Sequence, residues 1–507
     1  MIKNLNKEKK NEFVKNILVI FFIAIVVIGN IFGKSYTNLD ELWNFNFSKN
    51  IADGLFPYKD FNMVQTPLLA IICSVFLKIF GCQLIVMRIL AVILLTLVFF
   101  MAYLILKKLT NQPIAILSLL GLLLLLFKDI LCIDYNYAVL LMVLILTYIE
   151  LMQQDELFLK HRLKYDFIIG ILAGISILFK QTTGLAIAMA CIGYKIFKIR
   201  NKEDIKEFLK IAFTRLIGVI IPVILFTIYL VINHAFNDFT SYAILGTLTF
   251  SNKILYKTLF GEGIISLLAL LLPIILIVMF IMLFKKNTKK DIYVLFAYAI
   301  GSSIVIYPIS DQIHFCVGGL ITFIAGIYLL FNCLYTDDLF SKWSNNLKVV
   351  LYGIFSFLIM FFILMNLYNS LQIFNNQYIQ VNKEKELAHF IGIPENKELK
   401  NRILEIEKYI QNNQKEGKNV YILDAEAAIY MIPLDIYNKD YDMFLKGNLG
   451  KNGEHGIIER IDSEDNSNVI YLIKKNGLNW QNPDNVRNYI IDNLQCTGDI
   501  SIFWIFE

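Results

Sequence analysis

Charge is scarce in this chain and proline scarcer: Asp, Glu, Lys and Arg make up 18% of 507 residues, and there are 9 prolines. A soluble domain of this length carries about 25% charged residues, so a purely soluble chain is excluded. The seven cysteines fall mostly in apolar segments, with only Cys496 in the polar C-terminal stretch, which excludes a disulfide framework there. No C-x-x-C pair, no His/Cys zinc cluster, no phosphate-binding loop, no G-x-G-x-x-G behind a strand and no long internal repeat occurs. ATP-driven chemistry therefore has no visible apparatus. The net charge of +5 is accounted for by basic segments between apolar runs, which argues against nucleic acid as a partner.

What is abundant is apolar surface. Hydrophobic residues reach 57%, with 40 Phe and 26 Tyr, and the mean hydropathy is +0.58, the composition of a polytopic α-helical membrane protein. The first apolar run, Val14 to Ile31, follows a Lys-rich start and lacks a small-residue cleavage site, so it reads as an uncleaved helix. Further spans are expected near Leu84–Leu106, Pro113–Phe127, Tyr137–Met152, Phe167–Phe179, Gly184–Phe197, Ile211–Ile232, Ile264–Phe284, Ile292–Tyr307, Phe315–Leu334 and Leu347–Leu367, about 11 in all. The two short spans flanking Lys180 also fit a re-entrant hairpin.

With the N-terminus in the cytoplasm, inner segments hold 23 Lys and Arg residues against nine on the outer side of the membrane part. This asymmetry sets a multi-pass orientation in a cell membrane, with the first loop and the C-terminus outside. Pro67–Phe80 is apolar but has only about fourteen residues, too few to cross at about 1.5 Å each. It is expected to lie in the outer leaflet, inside a long first outer loop of about residues 33–83.

Composition changes near Leu367, which divides the chain into a membrane module (1–369) and an exoplasmic α/β domain (370–507) holding 21 of the 42 acids. Lys397–Asn413 reads as a helix, and Val420–Leu423, Val469–Ile473 and Ile500–Phe506 read as strands. Pro483–Leu494 reads as a second helix with Asn482 as its cap. Asp424, just past a strand, and Asp442, Asn448 and Gly450 are polar loop residues there, in a domain expected to act as a lid or to select an acceptor.

Polar residues that membrane helices should avoid gather at outer loops and outer helix ends: Asp40, Glu41, Asp60, Asp134, Lys180, Gln181, Asp311 and His314. Ionised groups beside hydrocarbon cost free energy unless paired, hydrated or in use. Plainer roles stand beside a site. Asp40 and Glu41 also fit first-turn acids of a helix, Lys180 a snorkelling side chain, and Arg88 a head-group anchor. Asp311 and His314 fit a helix cap, Asp60 a pin for its loop, and Tyr58 an interfacial aromatic.

The order of these residues is familiar. The Asp40-Glu41 pair after the first helix is followed by Phe56-Pro57-Tyr58-Lys59-Asp60-Phe61, by Gln65-Thr66-Pro67-Leu68 and by Arg88. Gly170-Ile171-Leu172-Ala173-Gly174 then leads to Phe179-Lys180-Gln181, and Asp311-Gln312-Ile313-His314 closes the series. Over roughly Asn30 to Leu330 it resembles the GT-C glycosyltransferases, most nearly the bacterial branch related to protein O-mannosyltransferases and the aminoarabinose transferase of lipid A. Many relatives carry a double proline where this chain has Thr66-Pro67.

The resemblance implies a sugar donor on a polyprenyl phosphate or diphosphate, transfer with inversion to a cell-envelope glycan, lipid or protein, and a first-loop acid as general base. Carried onto this chain, it makes Asp40 the base and Glu41 its helper. Arg88, Lys180 and His314 become partners of the phosphate or acceptor, and Asp134 a second acid; Gln181, Tyr58 and Asp60 are further substrate contacts. Some members use a divalent metal and others none; Glu41 and Asp134 are the candidate ligands, and no other cofactor is implied. The abundance of Ile, Lys and Asn fits a bacterium with an AT-rich genome. A transporter or flippase of lipid-linked sugars, a polysaccharide polymerase or ligase, and a non-catalytic protein that displays its outer domain are the competing readings. A transporter would place its charges near the midplane between repeated halves.

Overall fold

A computed structural model of the chain describes residues 2–153, 162–199, 201–249, 254–261, 263–285, 288–336, 385–394, 396–463, 468–478 and 482–507, with isolated positions between 350 and 368. Among the described residues seven helices are long and apolar enough to cross a membrane: Lys10–Phe32, Leu84–Leu109, Gln112–Ile130, Tyr135–Met152, Lys202–Ile232, Ile264–Leu283 and Gln312–Asn332. Shorter helices, Arg162–Phe179, Gln181–Gly193 and Lys290–Ser303, match three further expected spans. The expected span Leu347–Leu367 and the boundary at 369/370 lie largely outside the described residues.

Helices are numbered here in chain order: α1 (Ile2–Phe32), α2 (Leu39–Ala52), α3 (Leu68–Phe80), α4 (Leu84–Leu109), α5 (Gln112–Leu122), α6 (Tyr135–Met152), α7 (Arg162–Phe179), α8 (Gln181–Gly193), α9 (Lys202–Ile232), α10 (Ile264–Leu283), α11 (Lys290–Ser303) and α12 (Gln312–Thr336). The first outer loop is itself largely helical. Asn38 caps α2 by accepting the Glu41 N–H at 2.9 Å, so Asp40 and Glu41 are its first-turn acids, where the helix dipole favours negative charge. The 13 residues of α3 span only about 20 Å, short of a roughly 30 Å hydrocarbon core. One α3 face, Leu69, Ala70, Cys73 and Leu77, is buried, while Ile72, Val75, Ile79 and Phe80 are exposed.

Glycine sets the tightest helix contacts. A Cβ on Gly170 would lie 2.3 Å from the Arg215 carbonyl oxygen, and one on Gly174 2.6 Å from that of Val219. The Gly170–Gly174 stripe is thus how α7 presses its backbone against α9. At Lys180 the backbone turns extended (φ −154°, ψ 111°), and α8 folds back on α7 with Gly184 against the Ile177 backbone. The two short helices form a hairpin with Lys180 at its tip.

The C-terminal region is a four-stranded sheet, β1 (Asn419–Leu423), β2 (Val469–Lys474), β3 (Cys496–Ile500) and β4 (Phe503–Phe506), in the order β1-β2-β4-β3. β1 and β2 run parallel and the other pairs antiparallel. All six residues of β2, the central strand, are buried. The helices are α13 (Lys397–Lys415), α14 (Gly453–Ser463) and α15 (Asp484–Asn493). Two details differ from expectation. The apolar run Ile500–Phe506 holds only the return strand of a hairpin, because the backbone reverses at Ser501 (φ 48°) and pairs β4 with the polar strand β3. Asn482 is not the cap of α15; Pro483 occupies that position, and Asn482 is buried before it.

This sheet region docks on α2. Trp43 Nε1 donates to the Ala425 carbonyl at 2.9 Å, Lys49 pairs with Asp435 at 2.7 Å, and the Tyr36 and Phe390 rings lie 5.0 Å apart. Asp440 accepts from Asn62 and from the Tyr242 hydroxyl and pairs with Arg460, joining the first outer loop and the segment after α9 to the sheet region.

Candidate active site

Three carboxylates at helix beginnings converge at one end of the bundle. Asp40 opens α2. Asp134 caps α6, its Oδ1 accepting the Asn136 N–H at 2.6 Å. Asp311 precedes α12 and accepts both the backbone N–H of His314 (2.9 Å) and its ring Nδ1–H (2.7 Å). Asn44, one turn after Asp40 on the same face, donates to the Asp40 carbonyl at 2.7 Å and reaches Asp134 Oδ2 at 3.5 Å. Lys180, at the hairpin tip, donates to Asn136 Oδ1 at 2.6 Å and lies 5.3 Å from the centre of the Tyr135 ring.

The electrostatics follow from burial without full pairing. Burial, then the like charges of Asp134 and Asp311, push the Asp40 carboxyl up to about 8 against the pull of Lys180. Burial also raises Asp134, although the Asn136 N–H, Lys180 and His314 resist it. Burial brings Lys180 down to about 8, with the three acids opposing. Asp311 differs: burial pushes it up, but its hydrogen bond and charge attraction to His314 outweigh this and hold it below its ordinary value. A carboxylate and an ammonium that both titrate near neutrality are matched to proton transfer and to holding an anion.

Beside them opens a cavity of about 440 Å³, lined by Lys180, His314, Gln65 and Gln181 among mainly apolar neighbours that include Tyr135, Leu248, Val305 and Ile309. Its shape and lining suit an anionic head group with an apolar tail.

Of the other expected site residues Gln181 shares the cavity wall, while Glu41, Arg88, Asp60 and Tyr58 do not line it. Both oxygens of Glu41 face Arg88, at 3.0 Å to Nε and 2.8 Å to Nη2, and Arg88 also donates to the carbonyls of Lys34 and Ser35. Arg88 is 1% exposed, so it pins the start of the first outer loop instead of facing the cavity. Gln181 is a staple: its Nε2 donates to the carbonyls of Val64 and Ala243, and its Oε1 accepts the Thr66 N–H. Asp60 accepts the Phe56 N–H at 2.6 Å, and the buried Tyr58 donates to the Gln65 carbonyl at 2.7 Å. Both hold the loop that carries Gln65. Of the two candidate metal ligands, Glu41 is thus given over to Arg88, and only Asp134 faces Asp40. Among the described residues no group of three or more His, Cys, Asp or Glu side chains is placed to hold a metal ion.

Asn44, Asn136 and Tyr135 were not singled out from sequence. Asn136 and Tyr135 flank Asp134, and Asn44 follows Asp40 by four residues, so helical spacing was the available signal.

A helical bundle with an appended sheet region, carrying a carboxylate cluster beside a mainly apolar cavity at one end, has the GT-C fold. The aminoarabinose-transferase structure ArnT of Cupriavidus metallidurans, bound to undecaprenyl phosphate, is similar over 97% of both chains, with a TM-score of 0.57 at 12% identity. Its apo form gives 0.58 over 98% of both chains, also at 12% identity. The apo oligosaccharyltransferase of Archaeoglobus fulgidus gives 0.54 at 10% identity, over 90% of this chain and 69% of that one. In sequence, residues 64–226 match the dolichyl-phosphate-mannose-protein mannosyltransferase family. No curated protein matches the chain. The resemblance to the GT-C glycosyltransferases read from the motifs therefore holds in fold over nearly the whole chain.

Proposed function

We propose that this multi-pass membrane protein transfers a sugar from a polyprenyl-phosphate carrier to a cell-envelope acceptor at the outer face of the membrane, with Asp40 as the base. The observation that carries this reading is the convergence of Asp40, Asp134 and Asp311 beside a cavity walled by Lys180 and His314. Undecaprenyl phosphate in the similar Cupriavidus structure supports a carrier of that kind.

The chemistry follows from the arrangement. Asp40 takes the proton of the acceptor hydroxyl as its oxygen attacks the anomeric carbon. The bond from that carbon to the phosphate oxygen breaks on the opposite side, so the configuration inverts. The electron pair stays on the lipid phosphate, whose growing charge Lys180 stabilises. Asp134 and Asp311 keep Asp40 basic, while Asn136 and Asp311 orient Lys180 and His314. No step needs a nucleotide-binding fold, because the carrier's tail partitions into the bilayer.

The test is to incubate the purified protein in lipid with a panel of radiolabelled polyprenyl-phosphate sugars, beside Asp40→Asn. Transfer or carrier cleavage that the substitution abolishes supports the reading. Donor-independent inactivity together with substrate flux in vesicles replaces it with transport.

A further inference from the structure

The transferase reading leaves the acceptor unnamed, and a second recess beside α2 bears on it. About 220 Å³ in volume, it is lined by Thr37, Leu39 and Leu42 of the membrane part and by Asn396, Arg402 and Glu426 of the sheet region, with Glu398 at its rim. We propose that this recess is an acceptor subsite for a single hydroxylated sugar unit, built jointly by the first turn of α2 and the sheet region.

Position is the first argument. Leu39 and Leu42 share the face of α2 that also carries Trp43, whose indole reaches the Ala425 carbonyl. Asp40, the neighbour of Leu39, is turned with Asn44 toward Asp134. The recess and the base therefore flank one helix whose full diameter is about 10–12 Å. A sugar held in the recess extends its chain, or its own hydroxyl, around the open end of α2 to Asp40, while the donor cavity lies on the side of Asp134 and Lys180.

Chemistry is the second argument. The lining holds a hydroxyl (Thr37), the Asn396 amide, whose oxygen caps α13 at Leu399, the Arg402 guanidinium paired with Glu398 at 3.2 Å, and Glu426, together with the apolar Leu39, Leu42 and Ile429. Donors and acceptors beside apolar side chains complement a ring with hydroxyls at its edge and C–H groups on its face. The volume lies below the roughly 300–1,000 Å³ of pockets for drug-sized ligands, room for one ring and too short for an extended peptide or an acyl chain.

One wall residue is also tied to the carboxyl end of the parallel strands. Glu426 follows β1 and is held by Lys474, the last residue of β2, at 3.0 Å; Lys474 also binds Asp424 at 3.0 Å. The Asp424 Oδ1 atom is buried with no hydrogen-bond partner. The carboxyl ends of adjacent parallel strands are where α/β sheets hold ligands, and here that edge opens against the turn that carries the base.

The inference rests on the transferase reading and deepens it. Its test measures binding, not turnover: saturation-transfer NMR on the full-length protein in nanodiscs, with methyl hexosides, N-acetylglucosamine and a short Ser/Thr-containing peptide as probes. At least one sugar is expected to receive saturation, with Thr37→Trp and Arg402→Ala cutting the signal at least tenfold. Arg402→Lys should restore part of it, and Lys451→Ala, in an exposed segment elsewhere, should leave it intact. Melting curves screen out unfolded variants, and exposed Glu398→Gln gives a second wall residue whose change should weaken binding. Saturation of the peptide alone, of no probe, or of sugars regardless of these substitutions overturns the proposal. Sugar binding lost in the recess variants, with no transfer from any donor, would uphold this inference and sink the transferase reading; Asp40-dependent transfer indifferent to Thr37→Trp would do the reverse.

Discussion

The bundle buries charge at both ends, and the two clusters are built on opposite plans. At one end the Arg215 guanidinium meets Asp166 at 2.8 and 2.5 Å, pairs with Glu150 and donates to the Cys191 carbonyl at 2.7 Å. Tyr194 donates to Glu150 at 2.8 Å, and Lys195 sits 3.6 Å from Asp166. The side chains of Arg215, Glu150 and Asp166 are 0% exposed. Arg162 also lies 3.8 Å from Asp166, so three cations answer the two buried acids. At the other end three acids face Lys180 and His314; Asp134 is buried, the others are half-buried, and a cavity adjoins them. Buried charge by itself therefore says little about chemistry. A buried cluster whose acids are answered by cations clamps helices α6, α7 and α9; one with more acids than cations, beside a cavity, leaves protonation near neutrality and room for a substrate.

If that contrast is right, substitutions at the two ends should fail in different assays. Asp40→Asn should cut transfer by about 10²–10⁴-fold, the usual share of a general base, with the fold intact and thermal stability at pH 8 unchanged or raised. A comparable loss of folding yield would mean that the Asp40 cluster is a clamp as well. Arg215→Ala should do the opposite, costing about 3–5 kcal/mol by stranding two buried acids, read as a lower melting temperature in detergent. Its activity per folded molecule at low temperature should stay near that of the parent. Lys180→Ala should come next, lowering transfer some 10–100-fold, the worth of about 1.5–3 kcal/mol for a hydrogen bond to a charged group. The loss should fall mainly on kcat, because Lys180 meets the charge that grows on the leaving phosphate, with a smaller rise in donor KM.

Protons probe the same contrast. The base must be ionised and Lys180 protonated, and both titrate near 8, so kcat/KM should rise toward that pH and fall beyond it as a narrow bell belonging to the coupled group. The stability slope has a definite sign. Folded Asp40 keeps its proton from its ordinary value of 3.8 up to about 8 while the unfolded chain has lost it. The folded state binds more protons across that window, and Asp40 makes stability fall as pH rises through it. Asp40→Asn should remove this component, measured by melting temperature against pH; a slope unchanged by the substitution would refute the burial of that charge.

Legibility in the sequence divides along physical lines. Apolar runs located the helices up to Phe315–Leu334, and α3 was recognisable as a helix too short to cross because it has thirteen residues. The gathering of Asp40, Asp134, Lys180, Asp311 and His314 was also legible, since distance along the membrane normal can be counted residue by residue. Rotation about a helix axis cannot be counted in a loop whose helix is unrecognised. Asp40 and Glu41 are adjacent, yet about 100° of turn sends one toward Asp134 and the other to Arg88, so the expected helper became half of a structural pair. The clamp around Arg215 was hidden for a different reason. Arg215 and Lys195 read as topology-setting charges, and their partners lie across other helices at 65 and 29 residues' separation. The strand hairpin at Ile500–Phe506 was obscured because β3 is polar and exposed, with no apolar alternation to mark it.

The smallest expected effect is the most discriminating. Asp311 holds His314 through its Oδ1 and raises both Asp40 and Lys180 through its charge. Asp311→Asn keeps an oxygen at the same place for the His314 N–H groups while deleting the charge. With one like charge gone, Asp40 ionises at lower pH, which moves the acid limb of the bell down. Lys180 loses one of the acids that favour its proton, so the alkaline limb moves down too. The whole profile should shift toward acid by a fraction of a pH unit, with little change in height, because the shape of the cavity is kept. A buried, cation-rich cluster like the one around Arg215 would show no such coordinated movement, and limbs that moved apart, or toward alkali, would mean that Asp40 and Lys180 do not share one field.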